Sequence, residues 1–393
     1  MQSIPSNQAQ VAQRNLLTNL ISRTQSFVPQ LIARMRADIP NYARLDVALL
    51  LPDATLTLDR LLQVVAEGRE FTQTELAVLT AHGEARGRQD VPVTDMFSAW
   101  RIAIRTIADE LISSGRERNV PDHVLLDTIT ELLQTSDAAI HAIASGHHQV
   151  EVERARHAQE HRADLVRAIL LGTLGPAEIR FRADHYGLDT GREYRAIRAR
   201  PTAAAPADRL IRLFEGAHSS DRPRSLIALV DGDVAGIMDD PPTGTIDAAI
   251  GIGPSARLDQ MERSFRHATR AMATAEAFGL TGIHDLADLG LLPAVLADAE
   301  IGDELVRRYV TPLGDGAAAA VVLDTVHHYF INNRRVDHTA EAMHVHTNTI
   351  RYRIHRFEEL LGVDLDNADT ALETWWALQR IRLSKPVAPF PIT

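Results

Sequence analysis

At 393 residues the chain is longer than one ordinary core accommodates, and it points to two or three domains of ~100 to 200 residues. Its 45% hydrophobic and 24% charged residues exclude a disordered chain, and the absence of cysteine excludes disulfides, thiol nucleophiles and Cys-type zinc or iron–sulfur sites. With no apolar run near ~20 residues and no basic-then-apolar leader, a cytoplasmic protein with no membrane segment is expected, and a net charge of −11 argues against a surface coated for nucleic acid.

From Asn15 to Leu171 the pattern is helical. Leu16, Leu17, Leu20, Ile21, Val28, Leu31, Ile32 and Met35 recur at the three- and four-residue spacing of one buried helix face. Further helices are predicted over Thr57–Glu67, Thr74–Ala85, Thr94–Ser113 and Pro121–Ala144, with breaks at Pro40, Pro52, Gly68, Gly87, Pro92 and Gly115. Residues 1–146 thus read as an all-α sensor or dimerisation domain. Residues 147–180 are polar helix formers and read as a connecting helix that can pair with a second copy of itself.

Residues 181–315 change to an α+β pattern. Tyr194–Ile197 reads as a strand, and Ser225–Val230 and Val234–Met238 flank Asp231-Gly232-Asp233, a hairpin signal because Asp-Gly accepts positive φ. A third strand is expected over Ile246–Ile252, then a turn at Gly253-Pro254-Ser255 and a helix over Ala256–Phe278, with helices at Ala287–Ala299 and Ile301–Val310 and loops at Pro201–Ala207 and Pro241–Gly244. The glycines of Gly251-x-Gly253-x-x-Ala256 occupy the setting of a dinucleotide fingerprint, but no strand ends at Glu276 to complete the unit. The reading taken is a tight strand-to-helix turn capped by Ser255.

Residues 316–393 are helical again. A short helix over His338–Met343, a turn at His344-Val345-His346 and a longer helix from Thr347 form a helix-turn-helix, with Ala340, Met343, Val345, Ile350 and Ile354 at the crossing. Ile350, Ile354, Phe357 and Leu361 make one buried face. The opposite face carries Asn348, Arg351, Tyr352 and His355, flanked by Thr347, Thr349, Arg353 and Arg356. Asn can bond adenine in two places and Arg guanine, while Thr347 and Thr349 can hold phosphate at the helix start. Between Arg334 and Arg356, five Arg against Asp337 and Glu341 leave a local +3. The candidate DNA contacts are therefore Arg334, Arg335, His346, Thr347, Asn348, Thr349, Arg351, Tyr352, Arg353, His355 and Arg356.

The core His346, Asn348, Thr349, Ile350, Arg351, Tyr352 and Arg353 resembles the His-x-Asn-Thr-aliphatic-Arg-Tyr-Arg hallmark of PucR/CdaR-type bacterial transcription regulators. The likeness continues through Glu358, Glu359, Leu360, Gly362, Asp364 and Leu365 into a last helix around Trp375 and Trp376. It implies a middle domain similar to a degenerate GGDEF-like (diguanylate-cyclase) fold. A cyclase hairpin carries Gly-Gly-(Asp/Glu)-Glu-Phe to hold metal ions, whereas this one reads Leu229-Val230-Asp231-Gly232-Asp233-Val234, so no enzymatic activity is expected. The helical first domain resembles that of RsbR-type stress-signalling proteins.

His157 and His161 share one helical face, with His141, His147 and His148 nearby, but no intervening Glu completes a metal motif, and a solvated connecting helix is the preferred reading. His327 and His328 read as packing behind the recognition motif, and Trp375 and Trp376 as core with Leu372, Leu378 and Ile381. The fold class expected is thus multidomain: all-α, then α+β GGDEF-like, then all-α helix-turn-helix. The expected partners are double-stranded operator DNA, a second copy in a homodimer or larger homo-oligomer, and an unidentified small-molecule or protein effector, with no cofactor and no metal. The competing reading is a stress-signalling scaffold whose helical first domain is the main interaction surface.

Overall fold

The computed structural model describes residues 6–216 and 225–383, in two compact units divided between Ala158 and Gln159. Among the described residues no helix is long and apolar enough to cross a membrane.

The first unit is built from α1 (Ser6–Asp38), α2 (Pro40–Ala43), α3 (Val47–Glu67), α4 (Gln73–Arg88), α5 (Val93–Glu117) and the beginning of α6 (Asp122–Leu170). The predicted stripe of α1 is buried from Leu16 to Met35, with only Ile21 partly exposed, and it packs on α3 and α5. Pro40 opens α2, Gly68 ends α3 at φ +60, and Pro92 precedes α5 as expected. Pro52 does not break its helix: it lies inside α3. An internal proline costs about 3 kcal/mol. Leu50, Leu58, Leu61 and Leu62, all buried on the same helix, each return ~2 kcal/mol and outweigh it.

Gly87 and Gly115 also lie within helices. They mark close packing. A Cβ on Gly115 would approach Leu125 Cδ2 to 2.4 Å, and one on Gly87 would approach Val150 Cβ to 3.0 Å. The same crossing of α4 and α6 places a Cβ on Gly83 at 1.8 Å from the Ile143 carbonyl oxygen, and one on Gly146 at 2.0 Å from that of Thr80. Gly146 therefore does not divide the two helices expected around it, and α6 runs unbroken to Leu170. Residues 151–161 of α6 are exposed.

The second unit takes the end of α6, then α7 (Pro176–His185), β1 (Glu193–Ala199), α8 (Ala207–Gly216), β2 (Ser225–Val230), β3 (Asp233–Met238), β4 (Ala249–Arg257), α9 (Met261–Ala277) and β5 (Gly282–His284). The sheet order is β2-β3-β1-β4-β5, antiparallel except for β4 with β5. Asp231 (φ +53) and Gly232 (φ +86) form the two-residue turn of the predicted hairpin, whose second strand already includes Asp233. Side chains alternate between two cores. Tyr194, Ala196, Leu226 and Ile237 meet α6, α7 and α9, whereas Ile197, Ile227, Val234 and Ile250 meet Leu210 and Phe214 of α8, a helix the sequence reading missed.

The third strand begins three residues later than expected and absorbs the predicted turn. Gly253, Pro254, Ser255 and Ala256 are strand residues, a short 3-10 turn (Leu258–Gln260) follows, and the helix starts at Met261. Ser255 caps nothing; its hydroxyl donates to Glu193 Oε2 at 2.9 Å. The glycines serve packing: a Cβ on Gly251 would lie 1.8 Å from the Ala268 carbonyl oxygen of α9, and one on Gly253 2.0 Å from that of Ser264.

After β5 come α10 (Leu292–Ala297), α11 (Ala299–Tyr309), α12 (Ala317–Ile331), α13 (Val336–Ala342), α14 (Thr347–Leu361) and α15 (Ala368–Leu383). α15 packs against α10 and α11. Arg380 Nε donates to Asp303 Oδ1 at 2.8 Å, Arg308 Nη1 to Glu373 at 3.1 Å, and the Tyr309 hydroxyl to the same carboxylate.

Replacing Gly146 by Ala forces a methyl group into the Thr80 carbonyl. The expected cost to the helical first unit is about 3 kcal/mol, toward the upper end for overpacking, read as a lowered first transition in calorimetry of the full chain.

Candidate nucleic-acid interface

α13, a turn at Met343–His346 and α14 form the helix-turn-helix. Val345 N–H donates to Ala340 O at 3.0 Å and His344 N–H to Glu341 O at 3.1 Å, which closes the turn. His344 holds φ +53, a left-handed conformation costly to a residue with a Cβ. α14 begins at Thr347, as the sequence predicts, and its N-cap is His346, whose Nδ1 accepts from Asn348 N–H at 3.2 Å.

The inward side of α14 fixes its roll. Ile350 and Phe357 are fully buried, and Ile354 and Leu361 are half-buried; Phe357, Ile354 and Leu361 pack with Val322, Val326, Leu365 and Leu378. Ala340 of α13 is buried as expected, whereas Leu372 is exposed and does not join Leu378 and Ile381 in the core. Trp375 and Trp376 are half-buried. On α12, burial pushes His327 down to about 4, helped by Arg382.

The outward face carries Asn348, Arg351, Tyr352 and His355, all exposed, Tyr352 by 68%. Arg351 Nη1 donates to Asn348 Oδ1 at 3.2 Å, so the two side chains suited to base edges are neighbours. Thr347 and Thr349 are half-buried at the helix start. His355 Nε2 lies 3.2 Å from Glu359 Oε1, and Arg356 Nη1 3.8 Å from Glu359 Oε2, so the acidic residues reach back along the helix and offset the positive charge at its far end.

The remaining candidates point elsewhere. Arg353 turns inward and donates to Thr325 Oγ1 of α12 at 3.2 Å. Three residues from Ile350 and four from Phe357, it belongs to the buried face, and that spacing was available in the sequence. Arg334 donates to Leu365 O at 3.1 Å and ties the turn after α12 to the segment after α14. No local pattern announces this bond, because the acceptor is 31 residues along the chain. Arg335 is held by Asp337 at 2.9 Å, and that contact lowers the Asp337 carboxyl to about 2.

The histidines of α6 are not gathered. His147 is buried with Nε2 at 2.7 Å from Val91 O, while His157 and His161 are exposed. Among the described residues no group of three or more His, Asp or Glu side chains could hold a metal ion.

Residues 322–379, spanning α12 to α15, match the family model of the PucR C-terminal helix-turn-helix domain, and residues 25–162 match that of the RsbT co-antagonist protein rsbRD N-terminal domain. The chain carries a PucR-type helix-turn-helix behind an RsbRD-type first domain. It is 31% identical over 84 residues to an uncharacterized protein in the pkwA 5' region of Thermomonospora curvata, covering 21% of this chain and 47% of that one. It is 30% identical over 136 residues to an uncharacterized protein of Haemophilus influenzae, covering 32% and 35%. The chain thus spans less than half the length of these relatives. Among solved structures, the regulator of polyketide synthase expression from Bifidobacterium adolescentis is similar at 18% identity and a TM-score of 0.27, over 57% of this chain and 99% of that one.

Within the PucR-type domain, replacing His344 by Gly relieves the left-handed strain, and the domain is expected to melt at the same temperature or higher. His344→Val at the same position is expected to cost ~1 to 2 kcal/mol, and thermal melting of both variants checks the ordering.

Proposed function

We propose that this protein is a cytoplasmic, sequence-specific DNA-binding transcription regulator, not an enzyme, in which α14 reads the major groove. The observation that carries the reading is the exposed Asn348, Arg351, Tyr352 and His355 face on the second helix of a helix-turn-helix, inside the stretch that matches the PucR C-terminal domain. Asn348 and Arg351 are the base readers; Thr347 and Thr349 lie where the first turn of α14 meets phosphate. Because one such module makes a small interface, two copies bind two half-sites.

We read the sheet-containing region as a degenerate GGDEF-like domain without catalysis. Its hairpin carboxylate, Asp233, is buried and committed to Arg198 at 2.7 Å and Arg200 at 2.5 Å, which neutralise the charge a metal ion needs. A signal received by this region reaches α14 through α10 and α15, since α10 packs on both α9 and α15 and Leu378 of α15 joins Phe357 of α14 in one core.

A second reading, a stress-signalling scaffold working through its first domain, draws on the rsbRD match. A gel shift with the DNA upstream of the protein's own reading frame, against random competitor at low and moderate salt, separates the two. A regulator retains its site under competitor; a scaffold shows no retention.

Arg351→Ala and Asn348→Ala are each expected to lose ~1 to 3 kcal/mol of discrimination at one base per half-site, measured by competition with substituted operators. Arg353→Ala and Arg334→Ala are expected to leave base preference unchanged and to lower the melting temperature instead.

A further inference from the structure

The helical first domain contains a cavity of about 60 Å³, walled by α1, α2, α3, α4, α5 and α6. That is the space of roughly four to six waters. Most of the wall is aliphatic, with Leu58, Ile143 and Met35 among it and Trp100 supplying one aromatic face. Polar groups lie at Tyr42, Thr57, His82 and Arg86.

The hydrogen bonds of that polar end fix its protons. Arg86, 1% exposed, donates through Nε to His82 Nε2 at 3.3 Å and through Nη2 to Asp53 Oδ2 at 2.8 Å, and Nη1 donates to Gln89. A guanidinium can only donate, so His82 Nε2 is the acceptor and the ring proton is on Nδ1. Burial, with Arg86 beside it, pushes His82 down to about 4 and keeps it neutral. His82 Nδ1–H therefore donates to Thr57 Oγ1 at 2.8 Å. Thr57 accepts that bond, and its own proton remains uncommitted on the cavity wall.

We propose that this cavity is a ligand site for a small uncharged ring compound bearing one hydrogen-bond acceptor, received by the Thr57 hydroxyl. A charged ligand does not fit. The Arg86 cation is already balanced by Asp53, and each of its three nitrogens already donates one hydrogen bond, so a buried carboxylate finds little unspent positive charge and a buried ammonium no unspent negative one. The site gives the first domain a sensing role, and its occupancy is measured without DNA, so it stands or falls separately from the helix-turn-helix reading.

The test titrates the full chain with cyclohexanone, cyclohexane and cyclohexanecarboxylate, following Trp100 by fluorescence in a Trp375→Phe, Trp376→Phe background and binding heat in wild type. Saturable binding of cyclohexanone, at least fivefold tighter than either companion, is expected. Thr57→Val should reduce that preference over cyclohexane by roughly fivefold, the worth of one hydrogen bond, and Thr57→Ser should restore it. Ala103→Leu, which fills the cavity, should abolish binding of all three; if that variant does not fold, the Thr57 pair decides. No saturable binding of cyclohexanone to wild type, tighter binding of the carboxylate, or a preference unchanged in Thr57→Val overturns the proposal.

Discussion

At the α4–α6 crossing and where α9 lies on β4, backbone approaches backbone with no side chain between, and the organisation of both units depends on it. Gly83 and Gly146 let α4 and α6 cross at carbonyl contact, and Gly251 and Gly253 seat α9 on β4. Such contacts tolerate almost no adjustment, because the obstacle to any larger residue is main chain and not the flexible end of a side chain. The α4–α6 crossing also sets the walls of the cavity that His82 and Ile143 line. At Gly302 the neighbour is the side chain of Arg380 on α15, a more forgiving joint between α11 and the helix beneath the recognition helix.

The outward face of α14 is defined by what holds its inward face. Ile350 and Phe357 set the rotation, Arg353 adds a polar tie to Thr325, and Arg334 pins the segment after α14 to the turn before α13. Two of the arginines that make the segment look basic therefore act as fasteners. The positive charge remains, but fewer cations are free to reach phosphate than the sequence count implies. Under the proposed function, a module built this way leans on base contacts more than on general attraction to the duplex.

Much of this was legible in the sequence where a local rule decides the structure. The stripe from Leu16 to Met35, the Asp231-Gly232 hairpin turn and the start of α14 at Thr347 each follow from spacing or from the φ a residue accepts. The failures share a cause. Pro52, Gly87, Gly115 and Gly253 read locally as punctuation, but burial around Pro52 overrides its local penalty and the glycines are placed by packing against another element: Val150 for Gly87, Leu125 for Gly115 and Ser264 for Gly253. The roles of Arg334 and Asp233 were hidden for the same reason. In Arg353 the information was present, since helical spacing assigns it to the buried face, and its charge led the reading away.

The bond between Arg351 and Asn348 gives the recognition face a resting arrangement. Each side chain partly satisfies the other. Under the proposed function, any base edge these side chains meet is taken in exchange for this bond, so the net gain at each base is smaller than a bond to an unpartnered side chain would give.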